Sequence, residues 1–208
     1  MYAIVEDNNI TQYINNPKSV VIGDVRYPAK IFSAWTASEL AAIGIIEVTF
    51  DNTNKKDEKW YINTNQTYTY DASAGTVTAT YGTATAKAHA DSFWTQSEID
   101  SLPDAGNLKD GDLKSEGLKT KLIRDLKTTV ANELAKTDWY IVRKADAGTA
   151  VPSSITTHRA AVRTKCASME TAITNASDTP ALETLYTYTK QEDGSVTRPL
   201  GELPTLEI

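Results

Sequence analysis

The chain has 208 residues, a formal net charge of −6 and a single cysteine, Cys166. Such a length suits one sizeable domain or two small ones, and it buries roughly 70% of the surface exposed when unfolded, so a core forms without staples. One cysteine excludes a disulfide-built domain, and the acidic balance argues against a protein that binds nucleic acid by neutralising phosphates.

No apolar run reaches the roughly 18 residues of a membrane span. The opening MYAIVEDNNI has no basic stretch followed by an apolar run, so a strand is expected there rather than a signal peptide. Seven of the ten tyrosines lie in the first 81 residues, in a region patterned as strands and turns. YAIVE and ITQYI flank Asp7-Asn8-Asn9, a hairpin signal. IIEVTF (45–50) is a short apolar strand. TYTYD and TVTATY flank ASAG as a further hairpin, with Tyr68 and Tyr70 on one face and threonines on the other.

Two hexapeptides are nearly the same, WTASEL (35–40) and WTQSEI (94–99). Each reads as a capping box, Thr36 with Glu39 and Thr95 with Glu98, and each is expected to start a short helix. Gly44 is placed to end the first. Residues 100–117 hold a proline, three glycines and mixed charges, the composition of a linker between two bodies.

The period then becomes helical. Leu118, Leu122, Leu126, Val130, Leu134 and Ile141 recur at threes and fours, and the stop signals Gly148 and Pro152 come late. One helix is expected over about 113–147, some 50 Å long. A second begins after Pro152 with Ser153 or Ser154 as cap. Its seam is Ile155, Arg159, Val162, Cys166, Met169 and Ile173. A short turn between two long helices gives an antiparallel hairpin. In the tail, LYTYTK and SVTRPL bracket Asp193-Gly194 as a hairpin, and GELPTLEI is extended.

The expected fold class is therefore α+β: a small β-rich N-terminal domain with short helices, a long antiparallel helical hairpin, and an extended or β-hairpin C-terminal tail. The expected divisions are 1–94 for the β-rich domain, 95–112 for a short helix and linker, 113–176 for the helical hairpin and 177–208 for the tail.

Chemistry-bearing patterns are sparse. His89 and His158 have no partners at metal-ligand spacing. Cys166 and His158 lie two helical turns apart, about 12 Å, too far to share a proton. There is no phosphate-cradling glycine loop and no nucleophile or metalloprotease signature. No catalytic, metal-binding or cofactor-binding residue is assigned, and an enzyme is not expected. In a hairpin that turns near residue 150, Asp138 faces Val162, which is flanked by Arg159 and Arg163, one helical turn apart. An inter-helix ion pair of Asp138 with Arg159 or Arg163 is expected, since the arginine fork bonds a carboxylate at two points. Trp139 falls off the seam. With Ala135 and Val142 it makes a second apolar stripe, and with the adjacent Tyr140 it forms a candidate partner-binding surface, covered either by this chain or by another.

The segment LAKTDWYIVRKADAGTAVPSSITTHRAAVR resembles the C-terminal segment of bacteriophage tail assembly chaperones and tail-fibre assembly proteins. Thr137, Asp138, Trp139, Arg143, Gly148, Pro152, Arg159 and Arg163 carry the resemblance, over about 30 residues. The departures are His158 where an aromatic is usual, Val162 for leucine, and Asp146 near the expected acid. The resemblance implies a non-enzymatic viral protein that binds a tail fibre or other tail component as assembly factor, in the host cytoplasm during assembly. Retention in the virion as a structural connector or adaptor is the alternative, and a carbohydrate-binding tip using Trp60, Tyr68 and Tyr70 is a third reading. The implied partner is a phage tail protein, with a homo-oligomer as a further option and neither nucleic acid nor membrane.

Overall fold

The computed structural model describes residues 1–206. It is mixed α+β, and it divides into two compact units, Met1–Thr85 and the chain from Ala86 onward. The division falls before residues 100–117, the stretch with the composition of a linker.

The first unit contains β1 (Tyr2–Glu6), β2 (Asn9–Ile14), β3 (Val20–Ile22), β4 (Val25–Tyr27), α1 (Ile31–Ala34), α2 (Ala37–Ala42), β5 (Ile45–Asp51), β6 (Tyr61–Ile62), β7 (Gln66–Asp71) and β8 (Thr76–Tyr81). The two-residue β9 (Thr85–Ala86) lies at the junction. Five strands form one sheet in the order β2-β1-β5-β8-β7. β1 is antiparallel to β2 and to β5, β7 is antiparallel to β8, and β5 and β8 are parallel. The first hairpin turns on Asp7 and Asn8, both at positive φ (51° and 61°), the conformation a two-residue turn between twisted strands requires.

Period two gives this sheet two apolar faces. On one face Ile4 and Ile45 pack with Ile14, Val20, Ile31 and Leu40 under the two short helices. On the other, Ala3, Val48, Val77 and Ala79 pack with Tyr68 and Tyr70. Along β7 the tyrosines are half-buried and the threonines exposed, as their alternation requires. Tyr13 of β2 meets Tyr68 of β7 with ring centroids 4.6 Å apart, so the two edges of the sheet curl toward each other.

Thr36 caps α2 with a complete capping box, and Gly44 follows the helix at φ 79°. Glycine is required there for a second reason. A Cβ would stand 2.5 Å from the carbonyl oxygen of Val5, and Val5 N–H donates to Gly44 O at 2.8 Å. The helix end and β1 are joined at that point.

The second unit contains β10 (Ser92–Phe93), α3 (Gln96–Asp100), β11 (Leu113–Ser115), α4 (Leu118–Ala135), α5 (Asp138–Ala147), α6 (Ser153–Asn175), α7 (Thr179–Tyr186), β12 (Thr189–Lys190) and β13 (Val196–Thr197). Thr95 caps α3 with the second capping box. Residues 113–115, read as the start of a helix, instead pair antiparallel with β10. α4 starts after Gly117, whose N–H donates to Asp91 Oδ1 at 2.7 Å, while Thr120 Oγ1 donates to Asp91 Oδ2 at 2.8 Å. Asp91 thus satisfies the helix start from outside the helix.

α4 and α6 run antiparallel. Lys119 Nζ donates to Thr174 O at one end, Lys127 meets Glu170 at 3.4 Å, and Arg159 donates to Leu134 O at the other end. Leu122, Leu126 and Val130 are buried on α4, and Ile155, Arg159, Val162, Cys166, Met169 and Ile173 are buried on α6. Each large apolar side chain among them contributes roughly 1.5–3 kcal/mol of transfer free energy. No side chain caps α6, so the serine cap expected at Ser153 or Ser154 is absent. In the tail, Leu185 and Tyr186 belong to α7, capped by Asp178, and only Thr189–Lys190 and Val196–Thr197 form the hairpin.

The single helix expected over 113–147 is two helices. Its break lies at Lys136 and Thr137, where Thr137 has φ −119° and ψ 6°. Leu134 O accepts from Thr137 N–H at 3.1 Å, from Thr137 Oγ1 at 3.0 Å and from Arg159 Nη1 at 2.7 Å. A carbonyl so occupied leaves the i to i+4 ladder, and the helix bends where a side chain enters it. The seam arginine itself ends α4.

Candidate partner-binding surface

The break redirects every residue from 138 onward. α5 is ten residues long and buries none of them. Gly148 ends it in the left-handed conformation at φ 68°, with its N–H on Lys144 O. Trp139 is 51% exposed, Ile141 43% and Val142 64%, and Ala135, at the end of α4, is exposed as well. Ile141 was read as a seam residue. It lies outside the core because the break ends the periodic register on which that reading rested.

Trp139 and Tyr140 are adjacent in sequence and their rings lie 3.9 Å apart. The Arg143 guanidinium carbon is 4.6 Å from the Trp139 ring centroid and 5.6 Å from that of Tyr140. The i, i+4 spacing of Trp139 and Arg143 puts them on one side of the helix, and a guanidinium over an indole face is attracted by the ring quadrupole. Arg143 Nε is buried and has no hydrogen-bond partner among the described residues. Beside the stack lies a cavity of about 270 Å³, lined by Lys136, Thr137, Trp139, Tyr140, Pro152, Ser154, Ile155 and Leu206. The tryptophan stays half open to solvent, and Leu206 of the tail lines the cavity beside it.

The acid beside that tryptophan is held from α6. Arg159 Nη1 is 2.8 Å from Asp138 Oδ1. The same nitrogen donates to Thr137 Oγ1 at 2.7 Å, and Thr137 is 2% exposed. Arg163 is exposed and forms no ion pair among the described residues. The pair is one-sided, for the Arg159 side chain is 10% exposed and that of Asp138 56%. Water screens the carboxylate, so it adds little to stability. The buried guanidinium owes its place to the Leu134 carbonyl and the Thr137 hydroxyl.

The pairing of His158 with Glu133 was not foreseen from the sequence. His158 is 7% exposed, and its Nε2 stands 3.4 Å from Glu133 Oε1. That is ion-pair range, but the alignment does not make a hydrogen bond. A helical position between buried Ile155 and Val162 was the available signal. Glu133 also pairs with Lys136, and the Lys136 ammonium holds its carboxyl below the usual range, with His158 adding to the effect.

Cys166 is buried, with Sγ 3.2 Å from Glu170 Oε1, and burial pushes its thiol up from the ordinary value. That is the environment of a packing residue, since a nucleophile needs its thiolate. No group of three His, Cys, Asp or Glu side chains that could hold a metal occurs among the described residues. Among them, too, no helix is long and apolar enough to cross a membrane. The sugar-platform reading loses a member, because Trp60 is 3% exposed and belongs to the core. Tyr68 and Tyr70 are packed against the second face of the sheet.

No protein-family model matches this chain, and no curated protein or solved structure matches it.

Proposed function

We propose that this chain is a non-enzymatic bacteriophage tail protein that binds a tail fibre or another tail component as an assembly factor, through the exposed face of α5. The observation that carries the reading is a ten-residue helix with no buried residue that presents Trp139, Ile141 and Val142 to solvent. Isolated helices of that length are marginal in water, and a half-exposed tryptophan with a stacked arginine has the composition of an interface hot spot. The resemblance of residues 134–163 to phage tail assembly proteins supplies the class of partner. In this reading the protein works in the host cytoplasm while the tail is built, and it carries no cofactor.

The test is co-expression with the fibre or tail genes of the same phage, using wild type and Trp139→Ala. Co-purification with the wild type and its loss with the variant are expected. A fibre that is soluble and correctly assembled without this protein removes the assembly role. Mass spectrometry of purified particles then separates a transient factor, absent from virions, from a connector with a fixed copy number.

A further inference from the structure

The two near-identical hexapeptides differ in what covers their tryptophans. In Trp94-Thr95-Gln96-Ser97-Glu98-Ile99 the capping box ties Glu98 Oε2 to Thr95 N–H at 3.1 Å. Glu98 Oε1 is left outward, and Lys114 Nζ lies 2.5 Å from it and 4.6 Å from the Trp94 ring centroid. An indole and a carboxylate thus hold an ammonium from the same chain. In Trp35-Thr36-Ala37-Ser38-Glu39-Leu40 the capping box is the same, with Thr36 N–H on Glu39 Oε2 at 2.7 Å. Here, among the described residues, no cation stands over Trp35 and none pairs with Glu39 or Glu47.

Beside Trp35 is a cavity of about 80 Å³. Tyr2, Phe32 and Trp35 wall it, each half-buried, Leu40 and Ile45 line its depth, and exposed Glu47 stands at its rim. Strand geometry puts these groups together. Tyr2 and Glu47 are directly paired residues of β1 and β5, on the sheet face that α1 and α2 cover. The Tyr2 and Phe32 rings are 5.0 Å apart and tilted by 49°.

We propose that this cavity binds the ε-ammonium of a lysine presented by a partner protein. Aromatic faces attract a cation through their quadrupoles, and a carboxylate free of any cation at the mouth fixes its charge. The volume admits one head group, far below the roughly 300 Å³ that a drug-sized ligand needs. Rings tilted against each other form angled walls, which fit a compact ammonium. A planar guanidinium stacks best on one parallel face. Around Trp94 an indole and a carboxylate likewise share a lysine ammonium, although the carboxylate there is the capping-box Glu98 and here it is Glu47 of the neighbouring strand, and a tethered side chain adds the effective concentration that a free amine lacks. The site lies in the first unit and does not depend on the reading of α5.

The test follows the Trp35 indole N–H by NMR in the full chain during titration with Nα-acetyl-lysine methylamide, its Nε-acetylated form and tetramethylammonium. A saturable shift with Kd of about 1–10 mM is expected for the lysine compound, and none for the neutral acetylated form. Glu47→Gln should weaken binding about three- to five-fold. Glu47 is exposed, so unchanged peaks elsewhere will report an intact fold. An equal response to the acetylated compound overturns the proposal, as does no saturable shift. Binding of tetramethylammonium without the lysine compound overturns the assignment to a side chain. Weakening by Glu39→Gln but not by Glu47→Gln moves the cation out of the cavity and overturns it too.

Discussion

Arg159 Nη1 donates to Thr137 Oγ1 at 2.7 Å, at the break between α4 and α5. The same nitrogen reaches Leu134 O and Asp138, so a single guanidinium ties α6 to the last turn of α4 and the first turn of α5. Removing it should cost more than removing any one of its acceptors. Arg159→Ala is expected to lower unfolding free energy by about 2 kcal/mol, from lost charge-assisted hydrogen bonds and lost packing. Asp138→Asn should cost less than about 1 kcal/mol, because the carboxylate is half in water. Urea unfolding of the two variants and their double mutant checks the order. Equal losses would contradict a guanidinium held chiefly by backbone and hydroxyl.

Trp139 is exposed, and its loss should leave the fold in place. Trp139→Ala is expected to change stability by no more than about 0.5 kcal/mol. A thermal melt that moves by many degrees would mean the ring is covered within this chain, contrary to its exposure.

Gly44 should tolerate no side chain. Gly44→Ala combines a positive φ of 79° with a Cβ 2.5 Å from Val5 O. A loss of about 1–3 kcal/mol is expected. Gly75, at φ 65° with nothing within 4 Å of an added Cβ, is the control. Gly75→Ala should carry the conformational strain alone and cost less.

Glu98 should contribute to acid sensitivity. Its hydrogen bond with Lys114 and that with the Thr95 backbone hold its carboxyl below the ordinary 4.5. A group lowered in the folded state gives its full contribution above the unfolded value. That contribution is lost as pH falls from 4.5 through the folded value. Glu98→Gln keeps a residue able to complete the capping box but does not titrate. Between pH 7 and pH 3 its urea midpoint should fall less than that of the wild type, and an equal fall would leave Glu98 without a part in acid unfolding.

What could be read in the sequence was local. Thr36 with Glu39 and Thr95 with Glu98 are both capping boxes in the structure, because such a box needs only four consecutive residues. The buried positions on α6 followed from a spacing that one unbroken helix preserves. The break at Thr137 did not follow, for its cause is Arg159, 22 residues away. Leu113–Ser115 misled for the same reason, since its partner strand begins at Ser92. α7 had a local signal that was overlooked: Asp178 ahead of Thr179-Pro180 is a cap followed by an early proline, a common helix start. Within the candidate surface, the pairing of Asp138 with an α6 arginine was legible from helix geometry, whereas the exposure of Ile141 depended on the unforeseen break.

The parallel pairing of β5 with β8 has a consequence for synthesis. Val48 pairs with Val77, and the chain must first make β7 and turn back before β8 exists. Loop closure of this kind delays a fold more than local hairpins do. Between the emergence of β5 from the ribosome and that of residues 76–81, β5 has β1 as a neighbour on one side and an unpaired edge on the other. A bare strand edge is adhesive. The nascent chain therefore passes through a sticky interval that ends when Tyr81 emerges, and a pause in translation during that interval would favour aggregation over a native first unit.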